Sequence, residues 1–200
     1  VLNQKIRGMW DAGMRPVGRA LHKAGVGPNT ITVAGVLVQG AAAWAIVAGR
    51  LVVAGLLAIV AAVADTIDGA VAKARDESRS LGALYDSTAD RLSDALFFAP
   101  VAWLYGFSTD PARRDQRWVA ALALAALVTS FLVSYVKARA EGLGFECNVG
   151  IAERAERLIL MILGLLLNLV PLVLIVLAAL AALTVVQRLW YVRRQAQSEA

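Results

Sequence analysis

In the stretch DTIDGAVAKARDESRSLGALYDSTAD, residues 65–90, Asp65 and Asp68 stand three apart and Asp86 and Asp90 four apart. Such spacings put each pair on a single face of a helix. If the two helices are neighbours, four carboxylates converge. That many anions beside lipid cannot all keep their charge unless cations compensate them. The group contains no His or Cys, and carboxylates alone are hard oxygen ligands suited to Mg2+, Mn2+ or Ca2+. A divalent metal site is the reading that follows. Gly69, Ala70, Ala72, Gly82, Ala83 and Ala89 surround the acids. Small residues in membrane helices commonly serve close packing. Clustered around carboxylates, they also leave a hollow for a bulky ligand, with Lys73, Arg75 and Arg79 placed to meet negative charge such as phosphate.

The elements that must carry these acids are apolar. Of 200 residues 59% are hydrophobic and 18% charged, with a mean hydropathy of +0.64, which is too apolar for an ordinary soluble domain. Stretches long enough to cross hydrocarbon fall at roughly 29–49, 51–72, 82–107, 116–138, 155–170 and 171–190. The expectation is an all-α integral membrane protein of six transmembrane helices over 26–194, with a polar tail at 195–200. Residues 1–25 place Ile6, Met9, Trp10, Met14, Val17 and Leu21 at helical spacing between basic residues. They read as an amphipathic juxtamembrane helix, lying either on an anionic leaflet or on the protein's own surface. This segment lacks a cleavable apolar core and does not read as a secretory signal, and the opening Val1 suggests a trimmed sequence. Asn29 or Thr30 is the expected cap of the first span, and Pro100 predicts a kink in the third.

Charge sets the orientation. Basic residues before the first span, Lys73, Arg75 and Arg79 after the second, Lys137, Arg139 and Arg154 near the fourth connection, and Arg188, Arg193 and Arg194 at the end are cytoplasmic by the positive-inside rule. Arg50 and the stretch DPARRDQR at 110–117 fall on the other side, and the stretch breaks that rule. Trp103 and Trp118 fit an interfacial aromatic belt. Cys147 is the single cysteine, so no intrachain disulfide is possible, and His22 has no nearby ligand types in sequence. No inverted repeat of the transporter kind is visible. An ion transporter remains the rival from another class, because intramembrane acids often mark ion pathways. A membrane scaffold leaves four costly acids unexplained.

The acidic stretch resembles the CDP-alcohol phosphatidyltransferases, whose signature is D-x-x-D-G-x-x-A-R, a spacer, then G-x-x-x-D-x-x-x-D. Asp65, Asp68, Gly69, Ala72, Gly82, Asp86 and Asp90 meet seven of its eight fixed positions, and Lys73 stands where the family has arginine. The lysine replaces a planar phosphate-gripping fork by a point charge. The resemblance implies a homodimer of six-helix chains in the plasma membrane, with active site and both termini cytoplasmic. It also implies two divalent cations, Mg2+ or Mn2+, CDP-diacylglycerol as donor, and no nucleic-acid partner. Carried over by position, Asp65, Asp68, Asp86 and Asp90 are metal ligands, and Asp90 is also the base. Gly69, Ala72, Lys73, Arg75 and Gly82 hold the CDP-lipid.

A second basic cluster lies at 134–158, where Ser134, Lys137, Arg154 and Arg157 offer donors. Cations at helix ends often serve topology or lipid headgroups. So many in one place favour an anionic acceptor held through charge-assisted bonds. The segments SYVKARAE, ERAERL and QRL resemble those of actinobacterial phosphatidylinositol phosphate synthases. That likeness implies an inositol phosphate acceptor, 1D-myo-inositol 3-phosphate, cradled by Ser134, Lys137, Arg154 and Arg157. Glycerol 3-phosphate is the alternative acceptor, since charge does not separate two phosphorylated alcohols.

Overall fold

The computed structural model describes residues 27–74, 80–151 and 154–198, with the single positions 16, 20 and 25; for residues 28, 29, 68–74, 80, 81, 83 and 198 it describes the backbone alone. The amphipathic helix expected over 1–25 therefore lies outside the described residues except at those three positions, as does Arg75.

All regular structure among the described residues is helical: α1 Pro28–Val47, α2 Leu51–Ala74, α3 Ser80–Phe107, α4 Pro111–Arg114, α5 Trp118–Glu141, α6 Arg154–Leu166 and α7 Val170–Ser198. Each apolar stretch read from the sequence holds one long helix, and α4 is an added single turn, capped where Asp110 Oδ1 accepts from the Ala112 N–H at 3.1 Å. Helix α1 begins earlier than expected. Gly27 is its N-cap and Pro28 its first residue, because proline's fixed φ suits that position and the missing N–H costs nothing there. Helix α3 runs unbroken through Pro100. Asn168, at φ +54, turns the chain from α6 into α7, a left-handed conformation that asparagine tolerates.

This is a multi-pass membrane protein. Thr30–Val47, Trp118–Glu141 and Val170–Gln197 are long and apolar enough to cross a bilayer, and Leu51–Ile67 is a shorter apolar segment that stops where the acids begin. Helix α6, at 13 residues, is about 20 Å long, less than the ~30 Å of hydrocarbon. The polar tail expected at 195–200 is instead the end of α7 as far as Ser198. It is held there because Gln195 pairs with the backbone of Glu146, donating from Nε2 to the carbonyl at 2.7 Å and accepting from the N–H at 3.1 Å.

Helical periodicity explains both core and site. On α2 the inward stripe is Leu51, Ala54, Ala58 and Ala61, and Asp65 continues it. On α3 the stripe Tyr105, Val101 and Phe97 leads to Asp94 and Asp90; on α6, Leu165 and Met161 lead to Arg157 and Arg154; on α7, Leu174, Leu177 and Ala181 lead to Thr184 and Arg188. Each stripe turns from apolar to polar at the same end of the bundle. Outward positions such as Leu37, Leu56, Val128, Leu163 and Val186 are exposed and apolar, as a lipid-facing surface requires. Helix α1 packs on both α2 and α3, α5 on α3 and α7, and α6 on α2 and α7. The acid-bearing α2 and α3 do not pack closely on each other among the described residues, so a hollow separates them at the polar end.

Candidate metal and phosphate site

Three of the four predicted carboxylates meet. Asp65 from α2 and Asp86 and Asp90 from α3 each offer an oxygen, and these oxygens lie within 4.8 Å of one another. The donor set is all hard oxygen and spans two helices, which fits a Mg2+-like ion. Asp86 is exposed, whereas Asp65 and Asp90 are half-buried, so the cluster opens at the end of the bundle. The side chains of Asp68 and Lys73 lie outside the described residues, as do the surroundings of Gly69 and Ala72; the backbone there is α2. At Gly82 an added Cβ would meet nothing within 4 Å, so its smallness serves open space rather than packing among the described residues.

Arg154, expected among the acceptor's donors, joins this cluster. Its Nη1 and Nη2 donate to Asp65 Oδ2 and Oδ1 at 2.9 and 3.3 Å, the two-pronged geometry that suits a guanidinium and a carboxylate. Nη1 also lies 2.7 Å from Asp90 Oδ1, off the direction of an aligned hydrogen bond, so this contact is an ion pair. Arg91 flanks Asp90 Oδ2 and Asp94 Oδ2, each at 3.8 Å. Arg157, only 3% exposed, reaches Asp94 Oδ2 at 3.1 Å. Among the described residues, the four carboxylates of Asp65, Asp86, Asp90 and Asp94 thus face the three guanidinium groups of Arg91, Arg154 and Arg157.

The other predicted donors are engaged elsewhere. Ser134 Oγ donates to the Ser130 carbonyl at 3.3 Å, and Lys137 Nζ donates to Asn148 Oδ1 at 3.4 Å and lies 3.7 Å from Glu141. An open cleft of about 430 Å³ adjoins the acids, lined by Thr32, Gln39, Asp65, Ala89, Ser93 and Arg154 among others. A second, of about 300 Å³, shares Ser93 and Arg154 with it and reaches Asp94 and Arg157.

Sequence reasoning missed several of these residues. Asp94 extends the four-residue ladder of Asp86 and Asp90, and that spacing was the signal that could have found it. Gln39 is a lone amide in an otherwise apolar span; it is 3% exposed, lines the larger cleft, and its Nε2 has no hydrogen-bond partner among the described residues. Arg188 stands in the sequence as a cytoplasmic charge and as part of the QRL segment, with no site role expected of it. It is 4% exposed, donates from Nε to the Val149 carbonyl at 2.8 Å and from Nη1 to the Val133 carbonyl, and so ties α5 and the segment leading to α6 onto α7.

Comparison with known proteins agrees with this arrangement. A phosphatidylinositol phosphate synthase of Corynebacterium glutamicum is 39% identical over 148 residues, covering 74% of this chain and 66% of that enzyme. An archaetidylinositol phosphate synthase of Methanothermobacter thermautotrophicus is 41% identical over 130 residues, covering 65% of this chain and 61% of its own length. The chain therefore spans slightly less than two thirds of these two relatives. The crystal structure of Mycobacterium tuberculosis phosphatidylinositol phosphate synthase with CDP-DAG bound superimposes with a TM-score of 0.81 at 31% identity, covering 90% of this chain and 92% of that one. The same enzyme in complex with manganese and citrate gives a TM-score of 0.80. Residues 26–189 match the profile of one family, and with acids, cleft and fold in agreement the chain belongs to the CDP-alcohol phosphatidyltransferases.

Proposed function

We propose that this protein transfers the phosphatidyl group of CDP-diacylglycerol to 1D-myo-inositol 3-phosphate, giving phosphatidylinositol phosphate and CMP. The observation that carries this reading is the meeting of Asp65, Asp86 and Asp90 within 4.8 Å beside an open cleft, with Arg154 among them. The relatives named as phosphatidylinositol phosphate and archaetidylinositol phosphate synthases support the acceptor, and so does the basic cluster at 134–158.

Asp65, Asp68, Asp86 and Asp90 would hold two divalent ions, Mg2+ or Mn2+. Such ions, when bound, neutralise the diphosphate and the leaving oxygen of CMP. Lys73 and Arg75 meet the phosphates of the donor, and Gly69, Ala72 and Gly82 leave it room. The acceptor hydroxyl attacks the lipid-side phosphorus, the bond to the CMP oxygen breaks, and Asp90 takes the hydroxyl proton. Ser134, Lys137 and Arg154 draw in the acceptor phosphate through charge-assisted bonds, and Arg157, paired with Asp94, holds the helix of Arg154 in place. We place the chain in the cell membrane as a homodimer, with six transmembrane helices per chain preceded by the amphipathic segment. The acidic end and both termini face the cytoplasm, where the charge bias puts them.

Purified protein is incubated with CDP-diacylglycerol and Mg2+, and CMP is followed with inositol phosphate or glycerol 3-phosphate offered separately. Inositol phosphate should stimulate release and a chelator should abolish it. Stimulation by glycerol 3-phosphate alone would reassign the acceptor, and cation flux in liposomes without any CMP release would overturn the reaction class.

A further inference from the structure

We propose that Arg154 is a mobile counter-cation that couples metal binding to acceptor binding: it rests on the metal-binding carboxylates and leaves them for the acceptor's phosphate. This rests on the reading above that both ligands bind here. The guanidinium engages both oxygens of Asp65, at 2.9 and 3.3 Å, and lies 2.7 Å from one oxygen of Asp90. These are two of the three carboxylates that could hold the ion. Arginine does not lose its charge, so a divalent cation and the guanidinium compete for the same oxygens and repel each other at this range.

The surroundings allow the side chain to move while its helix stays. Arg154 is the first residue of α6, and its side chain is 28% exposed beside the cleft. One turn on, the buried Arg157 fastens α6 to α3 through Asp94, and Met161 and Leu165 are buried in the core. The backbone of α6 is thus anchored independently of where the Arg154 guanidinium points. A phosphate in the cleft supplies anionic oxygens that suit the same fork. Once drawn to it, Arg154 frees Asp65 and Asp90 for the ion. Linkage then requires reciprocity, so the metal strengthens acceptor binding by the same factor by which the acceptor strengthens metal binding. Ions would thereby collect most readily when an acceptor is present.

Mn2+ binding to the purified full-length chain, read by electron paramagnetic resonance at fixed free Mn2+, tests this without turnover. In the wild type, inositol phosphate and, more weakly, inorganic phosphate should tighten Mn2+ binding on the order of tenfold. Arg154→Gln should bind Mn2+ about that much more tightly with no phosphate present, and phosphate should then add nothing. Arg154→Lys, which keeps the charge but loses the fork, should fall between the two and serves where the glutamine variant does not fold. Unchanged or weaker Mn2+ binding in the folded variants, or an undiminished phosphate effect in Arg154→Gln, would overturn the proposal. If inositol phosphate releases no CMP while inorganic phosphate still tightens Mn2+ binding only when Arg154 is present, the acceptor assignment fails and the coupling stands.

Discussion

Asp90 and Asp94 lie one turn apart on α3 and face different fates. Asp90 sits half-buried among the candidate ligands, 2.7 Å from Arg154, whereas Asp94 is buried against Arg157 at 3.1 Å. Asp90→Asn keeps the shape and removes the proton acceptor, so CMP release should fall roughly 10²–10⁴-fold while CDP-lipid binding persists. Turnover within tenfold of the wild type would reassign the base. Arg157→Ala should act on stability, because it strips Asp94 of its nearest cation. Breaking a buried ion pair costs about 3–5 kcal/mol, whereas an apolar replacement of both partners is often neutral. Thermal melting in detergent should therefore drop for Arg157→Ala and recover most of the loss in Asp94→Leu/Arg157→Met. Asp65, Asp86 and Asp90 were legible from spacing alone. Asp94 was not, because the acidic signature ends before it and only packing shows that the third rung of the ladder has a buried arginine opposite.

At the scale of the element, α6 is the shortest long helix and carries two of the arginines, so its seating matters most. It lies on α2 where a Cβ added to Gly55 would come within 2.7 Å of Leu166 Cδ2 and 2.8 Å of its Cγ. On α1, a Cβ added to Gly40 meets nothing within 4 Å. Gly55→Ala should cost about 1–3 kcal/mol by overpacking. Gly40→Ala should be neutral or gain up to about 1 kcal/mol from helix propensity. Equal melting temperatures for the two variants would show that α6 does not approach α2 closely. The helices were readable as apolar runs, but the length of α6 was not. The window 155–170 is apolar enough to read as one span, yet the helix ends at Leu166, where Asn168 turns the chain.

On the scale of the whole molecule, the bundle has two unlike ends. Lys137, Arg154, Arg157 and Arg188 gather with the acids at one. At the other, Arg113 approaches Gly49 and lines an open cleft of about 560 Å³ with Trp103, Phe107 and Thr109. The stretch that breaks the positive-inside rule thus lies opposite the acids. Cys147 is fully buried, which leaves a silent background for labelling engineered thiols. With a membrane-impermeant maleimide on intact cells, Thr109→Cys should label and Leu143→Cys should label only after lysis. The reverse pattern would invert the topology and put the acids outside.

Composition and periodicity determined by themselves that the chain is a helical membrane protein, where its apolar runs lie, and that Asp65 and Asp68, like Asp86 and Asp90, share a single helix face. These are local properties, fixed by hydropathy and the 3.6-residue turn. Only the tertiary structure decided which charges meet across helices: Arg154 on Asp65 and Asp90, Arg157 on Asp94, and Arg188 on the carbonyls of Val133 and Val149. An arginine's partner is chosen by the approach of helices far apart in sequence, and a long side chain at a helix end looks the same in sequence whether it meets lipid, phosphate or a buried carboxylate.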